Sequence, residues 1–232
     1  MTRLRLDPAQ EQLLYSTVLG GGSNEAAFAL ALTSGGGVWL TGYTWSADFP
    51  TTPGAFNRSH SGRLADGFLA LLKPEAGPES QSQLVYSTFF GGLEWESGTA
   101  LAVRDDGLVT IGGWTWSRNF PTAGPALKTN LNEGDADAFL FTIDPQPELR
   151  PPEQLLYSTF FGGDSYEEVD GLALAQNGRL VATGLTASSA FSNWLGPASN
   201  GTLDAHLSSW DLRYPQASFS ATLLGNYIVQ FD

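Results

Sequence analysis

Leu14-Tyr15-Ser16-Thr17-Val18-Leu19-Gly20-Gly21 returns as Val85-Tyr86-Ser87-Thr88-Phe89-Phe90-Gly91-Gly92, and again as Leu156-Tyr157-Ser158-Thr159-Phe160-Phe161-Gly162-Gly163, each copy 71 residues after the last. A second anchor keeps the same spacing. Gly42-Tyr43-Thr44-Trp45-Ser46 matches Gly113-Trp114-Thr115-Trp116-Ser117 and, more loosely, Gly184-Leu185-Thr186-Ala187-Ser188. Independent anchors that share one offset identify an internal repeat, in which each copy is one supersecondary unit that stacks on its neighbours.

Within a unit the local signals are those of strands. Phe28-Ala29-Leu30-Ala31-Leu32-Thr33 and Val38-Trp39-Leu40-Thr41-Gly42-Tyr43 flank a glycine turn and read as a hairpin. The equivalent turns carry Asp105-Asp106-Gly107 and Gln176-Asn177-Gly178, residue types that tolerate positive φ. A third strand is predicted over Gly67–Leu72 and Ala138–Ile143, and a fourth around Tyr86 and Tyr157. No window of ten residues carries a helical stripe.

Four antiparallel strands per unit predict an all-β chain built as a β-propeller, with neighbouring blades burying each other's apolar faces. A linear β-solenoid is the rival, but its coils are usually shorter and need no recurrent hairpin turn. The parse is a partial unit over 1–21, holding the third and fourth strands, followed by units at 22–92, 93–163 and 164–232. Three and a half blades fall short of the usual four to eight, so an incomplete ring is expected, with edge-mediated self-association as one consequence of open strand edges.

The quoted motifs, together with Asp48-Phe49-Pro50-Thr51-Thr52-Pro53-Gly54-Ala55-Phe56, Asn119-Phe120-Pro121-Thr122 and an Asp-x-Phe third strand, resemble the bacterial β-propeller repeat family called SBBP. The likeness is close in the first two units. It weakens in the third, where Phe191-Ser192 and Asp204-Ala205-His206 replace the pattern. The resemblance implies a place in a larger exported or cell-surface bacterial protein, and it implies no shared reaction.

Composition narrows the partners. With 24 acidic against 11 basic residues the formal charge is -13, a field that repels phosphate backbones and argues against nucleic acid. Cysteine is absent, which removes disulfides and thiolate chemistry together. No apolar run reaches membrane-spanning length, so no membrane insertion is expected, and the first residues do not read as a signal peptide.

The connections preceding the first strand of each unit carry Asn24 and Glu25, then Glu94 and Glu96, then Asp164, Glu167 and Glu168. The long connections between second and third strands emerge at the same end, so a loop-rich acidic face is the expected place for recognition. Trp95 and Tyr166, 71 residues apart, stand beside these carboxylates as candidates to contact a sugar ring or a partner protein. The plainer alternative makes the acids a solvated surface and the aromatics plugs over the junctions. Asp135 and Asp137 are weak metal candidates. Calcium is the ion their oxygen chemistry favours, although neither an EF-hand nor a nonapeptide spacing is present. Asp66, Asp137 and Asp204 recur at equivalent positions, which points to backbone capping where the third strand begins.

His60 and His206 occupy unrelated positions, and no phosphate-cradling glycine loop precedes a helix. No cofactor and no catalytic constellation are therefore expected. The leading functional expectation is a noncatalytic structural or protein-interaction module. A carbohydrate-binding or glycan-processing domain and a calcium-stabilised adhesive domain are the alternatives. The third unit is expected to be the end of the array, with Trp194 and Trp210 covering it locally, or with Trp210 belonging to a partner contact.

Overall fold

The computed structural model describes residues 2–7, 10–61, 63–74, 83–131, 135–146, 148–176, 178–189, 203–212 and 222–223. The expectations placed on Asn177, Phe191-Ser192 and Trp194 lie outside these residues. The described chain is all-β. Its first sheet is a two-stranded pair, β1 (Thr2–Asp7) and β2 (Gln10–Ser16). A four-stranded sheet follows from β3 (Glu25–Leu32), β4 (Val38–Thr44), β5 (Asp66–Leu72) and β6 (Leu84–Phe90). The next contains β7 (Glu96–Val103), β8 (Val109–Thr115), β9 (Asp137–Ile143) and β10 (Leu155–Phe161), the last preceded by a 3-10 turn at Pro151–Gln154. The third four-stranded sheet holds β11 (Glu167–Leu174), β12 (Arg179–Thr186), β13 (Asp204–Asp211) and β14 (Thr222–Leu223). Every pairing is antiparallel between chain neighbours.

The first hairpin of each four-stranded sheet shows how the repeat is encoded. Its turn carries a glycine in the left-handed region: Gly36 at φ 77°, Gly107 at 91° and Gly178 at 78°. The first strand then shifts register at one residue, between Ala27 and Ala29, between Gly98 and Ala100, and between Val169 and Gly171. Opposite each bulge lies the glycine of the Gly-x-Thr-x-Ser motif. A Cβ at Gly42, Gly113 or Gly184 would stand only 1.8–1.9 Å from the carbonyl oxygen of Ala26, Ser97 or Glu168. The motif glycine is thus a steric requirement of the bulge.

Successive sheets stack with their first strands leading. β7 packs on β3, β4 and β5, and β11 packs on β7, β8 and β9. One apolar layer joins Trp39, Leu69, Tyr86 and Phe90 to Leu101, Ile111, Phe139, Phe141 and Phe160. The next joins Ala100, Ala102, Leu140, Tyr157 and Phe161 to Val169, Leu180, Ala182 and Trp210. Each fully buried Phe contributes about 2–3 kcal/mol by transfer from water. Trp210, expected to cover the end of the array, instead faces inward, its ring 5.2 Å from Phe161 of the preceding sheet. The outward side of the third sheet is open: Leu207 is 38% exposed, where its equivalent Leu140 is fully buried.

The outer edges are not bare. Thr52 N–H donates to Ser87 O (3.0 Å) and Phe89 N–H to Asn57 O (2.9 Å), so the loop after β4 pairs with the outer side of β6. The loop after β8 does the same for β10, through Ala123 with Ser158 and through Phe160 with Lys128. In these two sheets the Phe-Pro-Thr segment therefore covers the outer edge of the fourth strand. Ser87 and Ser158 of the Tyr-Ser-Thr motif fasten it by donating to Pro50 O and Pro121 O, both at 2.6 Å.

Candidate functional site

The two most regular motifs meet at one end of each sheet. Thr44, Thr115 and Thr186 donate through Oγ1 to Oε1 of Glu25, Glu96 and Glu167 at 2.9, 2.7 and 2.7 Å. The same hydroxyls accept the backbone N–H of Ser46, Ser117 and Ser188. Those serines in turn accept the N–H of Ser23, Glu94 and Ser165 in the loop leading into the first strand. Gly92 and Gly163 N–H donate to the second carboxylate oxygen of Glu96 and Glu167 at 3.0 and 2.8 Å. The glycine pair has to be glycine here, because a Cβ at Gly91 or Gly162 would lie 2.3 or 2.2 Å from that carboxylate.

Glu96 and Glu167 are therefore buried clips between two loops, and the expectation that they line an acidic surface is corrected. Burial pushes the Glu96 carboxyl up to about 7 against the hydrogen bonds from Ser117, Thr115 and Gly92, with Asp66 adding to the rise. Glu167 is raised for the same reason, with Asp137 as its neighbouring charge. Sequence reading missed the clip, although Glu25, Glu96 and Glu167 sit at the repeat spacing and that regularity was the available signal.

Asp66 and Asp137, which open the third strands of the first two four-stranded sheets, are buried too, while Asp204 is half-buried. Asp66 accepts the N–H of Ser61 at 2.8 Å and also its hydroxyl, which fits the expected capping role. Asp137 instead pairs with Lys128 Nζ at 2.5 Å. Asp135 lies at the surface and accepts from Ser165 Oγ at 3.3 Å. Among the described residues no three His, Asp or Glu side chains converge on one point.

An aromatic group also reaches the surface at this end. Trp95 sits between the first and second four-stranded sheets. Its ring centroid lies 6.0 Å from Tyr43, 5.6 Å from Trp45 and 5.4 Å from Trp114, and Phe28 extends the group from Tyr43 at 5.7 Å. Phe28 and Trp45 are exposed, while Tyr43, Trp95 and Trp114 are half-buried. Glu94 lies beside them with its carboxylate 3.8 Å from Arg63, both side chains largely solvated. Bringing these five rings together takes two units, because Trp95 and Trp114 belong to the second and the others to the first.

Tyr166 is at the equivalent junction one unit on. Its hydroxyl donates to Glu168 Oε2 at 2.5 Å, and burial with the Glu168 and Asp170 charges drives its own proton affinity up. Glu168 is raised to about 7 by burial and by Asp170. His60 touches Thr44 O at 3.3 Å and the Phe89 ring. Buried His206 fills the Phe139 position, its ring on Phe161 and its Nε2 2.8 Å from Glu168 O.

Comparison with family models and with curated proteins finds no match for this chain. Among the described residues no helix is long and apolar enough to cross a membrane.

Proposed function

We propose that this chain is a noncatalytic binding and scaffolding module of β-propeller type, and that its recognition surface is the aromatic cluster of Phe28, Tyr43, Trp45, Trp95 and Trp114. The observation that carries the reading is the position of those rings. They group across a junction between two rigid sheets, at the loop-bearing end, with Trp45 and Phe28 facing solvent. Aromatic side chains supply large contact area for little loss of rotamer freedom and dominate binding hot spots. The buried carboxylates hold the loops under the rings.

The propeller reading rests on the stacking of four-stranded units through their first strands and on the motif resemblance to the SBBP repeats. The resemblance also favours an exported or cell-surface setting. A protein partner is the leading reading. A glycan is the second, favoured by the exposed Trp45 indole with Glu94 nearby, since aromatic faces and carboxylates together suit a sugar ring. Protein and glycan panels screened against the chain and against Trp45→Ala test both. Binding lost in the variant with unchanged unfolding supports the site, and binding retained in full by Trp45→Ala and Phe28→Ala places recognition elsewhere.

A further inference from the structure

The junctions between successive four-stranded sheets are closed differently at the end away from the aromatic cluster. Where the second and third of these sheets meet, Arg104, just after β7, reaches across. Its Nη1 donates to Leu212 O at 3.2 Å, beyond the end of β13, and its Nη2 to Asp106 Oδ2 at 2.7 Å. One repeat earlier the position of Arg104 is held by Thr33, and that of Asp106 by Gly35. The Thr33 hydroxyl is used within its own turn, donating to Gly37 O and accepting the Gly37 N–H. A cavity of about 630 Å³ stands there, walled by Trp39, Leu71 and Val103 and bordered by Asp105 and Asp144. Its far side is Asp144-Pro145, and Pro145 is the counterpart of Leu212, because Ile143 faces Val109 as Trp210 faces Leu180. Among the described residues Arg104 is the one cation in its wall, and that guanidinium is taken by Leu212 and Asp106. Half-buried Asp144 accepts from a neutral donor, Gln146 Nε2, at 3.3 Å.

We propose that this cavity receives an arginine side chain from a partner polypeptide, its guanidinium directed to Asp144. The repeat itself supplies the template, since the same place one junction later is occupied by the guanidinium of Arg104. The wall fits the whole side chain. An arginine stem packs on apolar surface such as Trp39 and Leu71 while its planar fork pairs with a carboxylate. A lysine ammonium lacks the fork and is more strongly hydrated. Free arginine would bring its own carboxylate against Asp105 and Asp144, which selects an arginine within a peptide chain. The proposal does not depend on what the aromatic cluster binds, because that cluster sits at the other end of the junction.

The test titrates the full chain with the blocked peptide acetyl-Gly-Arg-Gly-amide and follows the Trp39 indole and the Leu71 and Val103 methyl groups by NMR. Saturable shifts at those groups are expected, with an affinity about tenfold or more above that of the norleucine counterpart, the factor one charge-assisted hydrogen bond contributes. Asp144→Asn should lower the affinity about tenfold for the same reason. Thr33→Arg, which supplies the guanidinium from the chain itself, should abolish the shifts and raise the melting point. If Thr33→Arg fails to fold, Asp144→Asn decides alone. The proposal is overturned by the absence of saturable shifts, by equal response to the arginine and norleucine peptides, or by binding that survives a folded Thr33→Arg or is unchanged in Asp144→Asn. Free arginine binding as tightly as the blocked peptide also overturns it, because a small molecule is then the occupant.

Discussion

Tyr86 of β6 donates its hydroxyl hydrogen to Oε1 of Gln154 at 2.7 Å, and the two residues belong to successive sheets. Gln154 uses its amide nitrogen to hold Gly54 O at 2.6 Å, so one buried side chain ties the 3-10 turn before β10 to the neighbouring sheet at two points. Tyr15 makes the equivalent bond to Gln83 one junction earlier. Burial lifts the Tyr86 hydroxyl to about 12, so the bond persists as a neutral donor throughout the physiological range.

Gln154→Leu removes both bonds and leaves the hydroxyl hydrogen of buried Tyr86 without an acceptor, while the carbonyl of exposed Gly54 can turn to water. The expected loss is about 1–3 kcal/mol in urea unfolding, mostly from the Tyr86 hydroxyl. Tyr86→Phe should cost about half as much. Equal stability of Gln154→Leu and the parent would show that these groups find other partners.

The motif glycine and the turn glycine should respond differently to the same substitution. Gly113→Ala drives a methyl into the Ser97 carbonyl and should cost about 3 kcal/mol or more. Gly107→Ala meets nothing within 4 Å and carries only the strain of φ 91°, about 1 kcal/mol. Similar midpoints for the two variants would remove the bulge argument.

Glu96 sets a pH dependence whose sign runs against ordinary acid denaturation. Its folded pKa of about 7 lies above the usual 4.5, so between those values the native state binds more protons than the unfolded state. Stability from this group therefore falls as pH rises from about 4.5 to about 7. Glu96→Gln, which imitates the protonated acid, should gain relative to the parent across that window. Parallel pH profiles of parent and variant would refute the assignment.

Lys128 and Asp137 offer a double-mutant cycle. Lys128→Ala leaves the fully buried Asp137 carboxylate without its cation and should cost about 3 kcal/mol or more, whereas Asp137→Asn with Lys128→Ala should recover part of that loss. Independent, additive effects would mean that the pair is not coupled.

Much of the strand plan was legible in the residues. The 71-residue spacing, the turn glycines at Gly36 and Gly107, and the apolar runs at Val38 and Phe139 mark antiparallel strands because strand formation there depends on neighbours within one unit. The capped edge was not legible. Phe-Pro-Thr looks like a loop in sequence, and only its approach to Ser87 and Ser158 shows that it completes the pairing of the fourth strand.

The candidate site divides along the same line. Sequence alone singled out Trp95 and Tyr166 as aromatics in acidic loops, and it identified Glu96 and Glu167 as the acids beside them. Whether an acid faces water or a hydroxyl depends on which loop lies across from it, and that is decided 19 residues away at Thr115 and Thr186. Stacking two units turned one notable tryptophan into a five-ring cluster. Repetition along the chain determined what each unit is, and packing between units, where the burial energy is gained, determined which of its residues remain free to meet a partner.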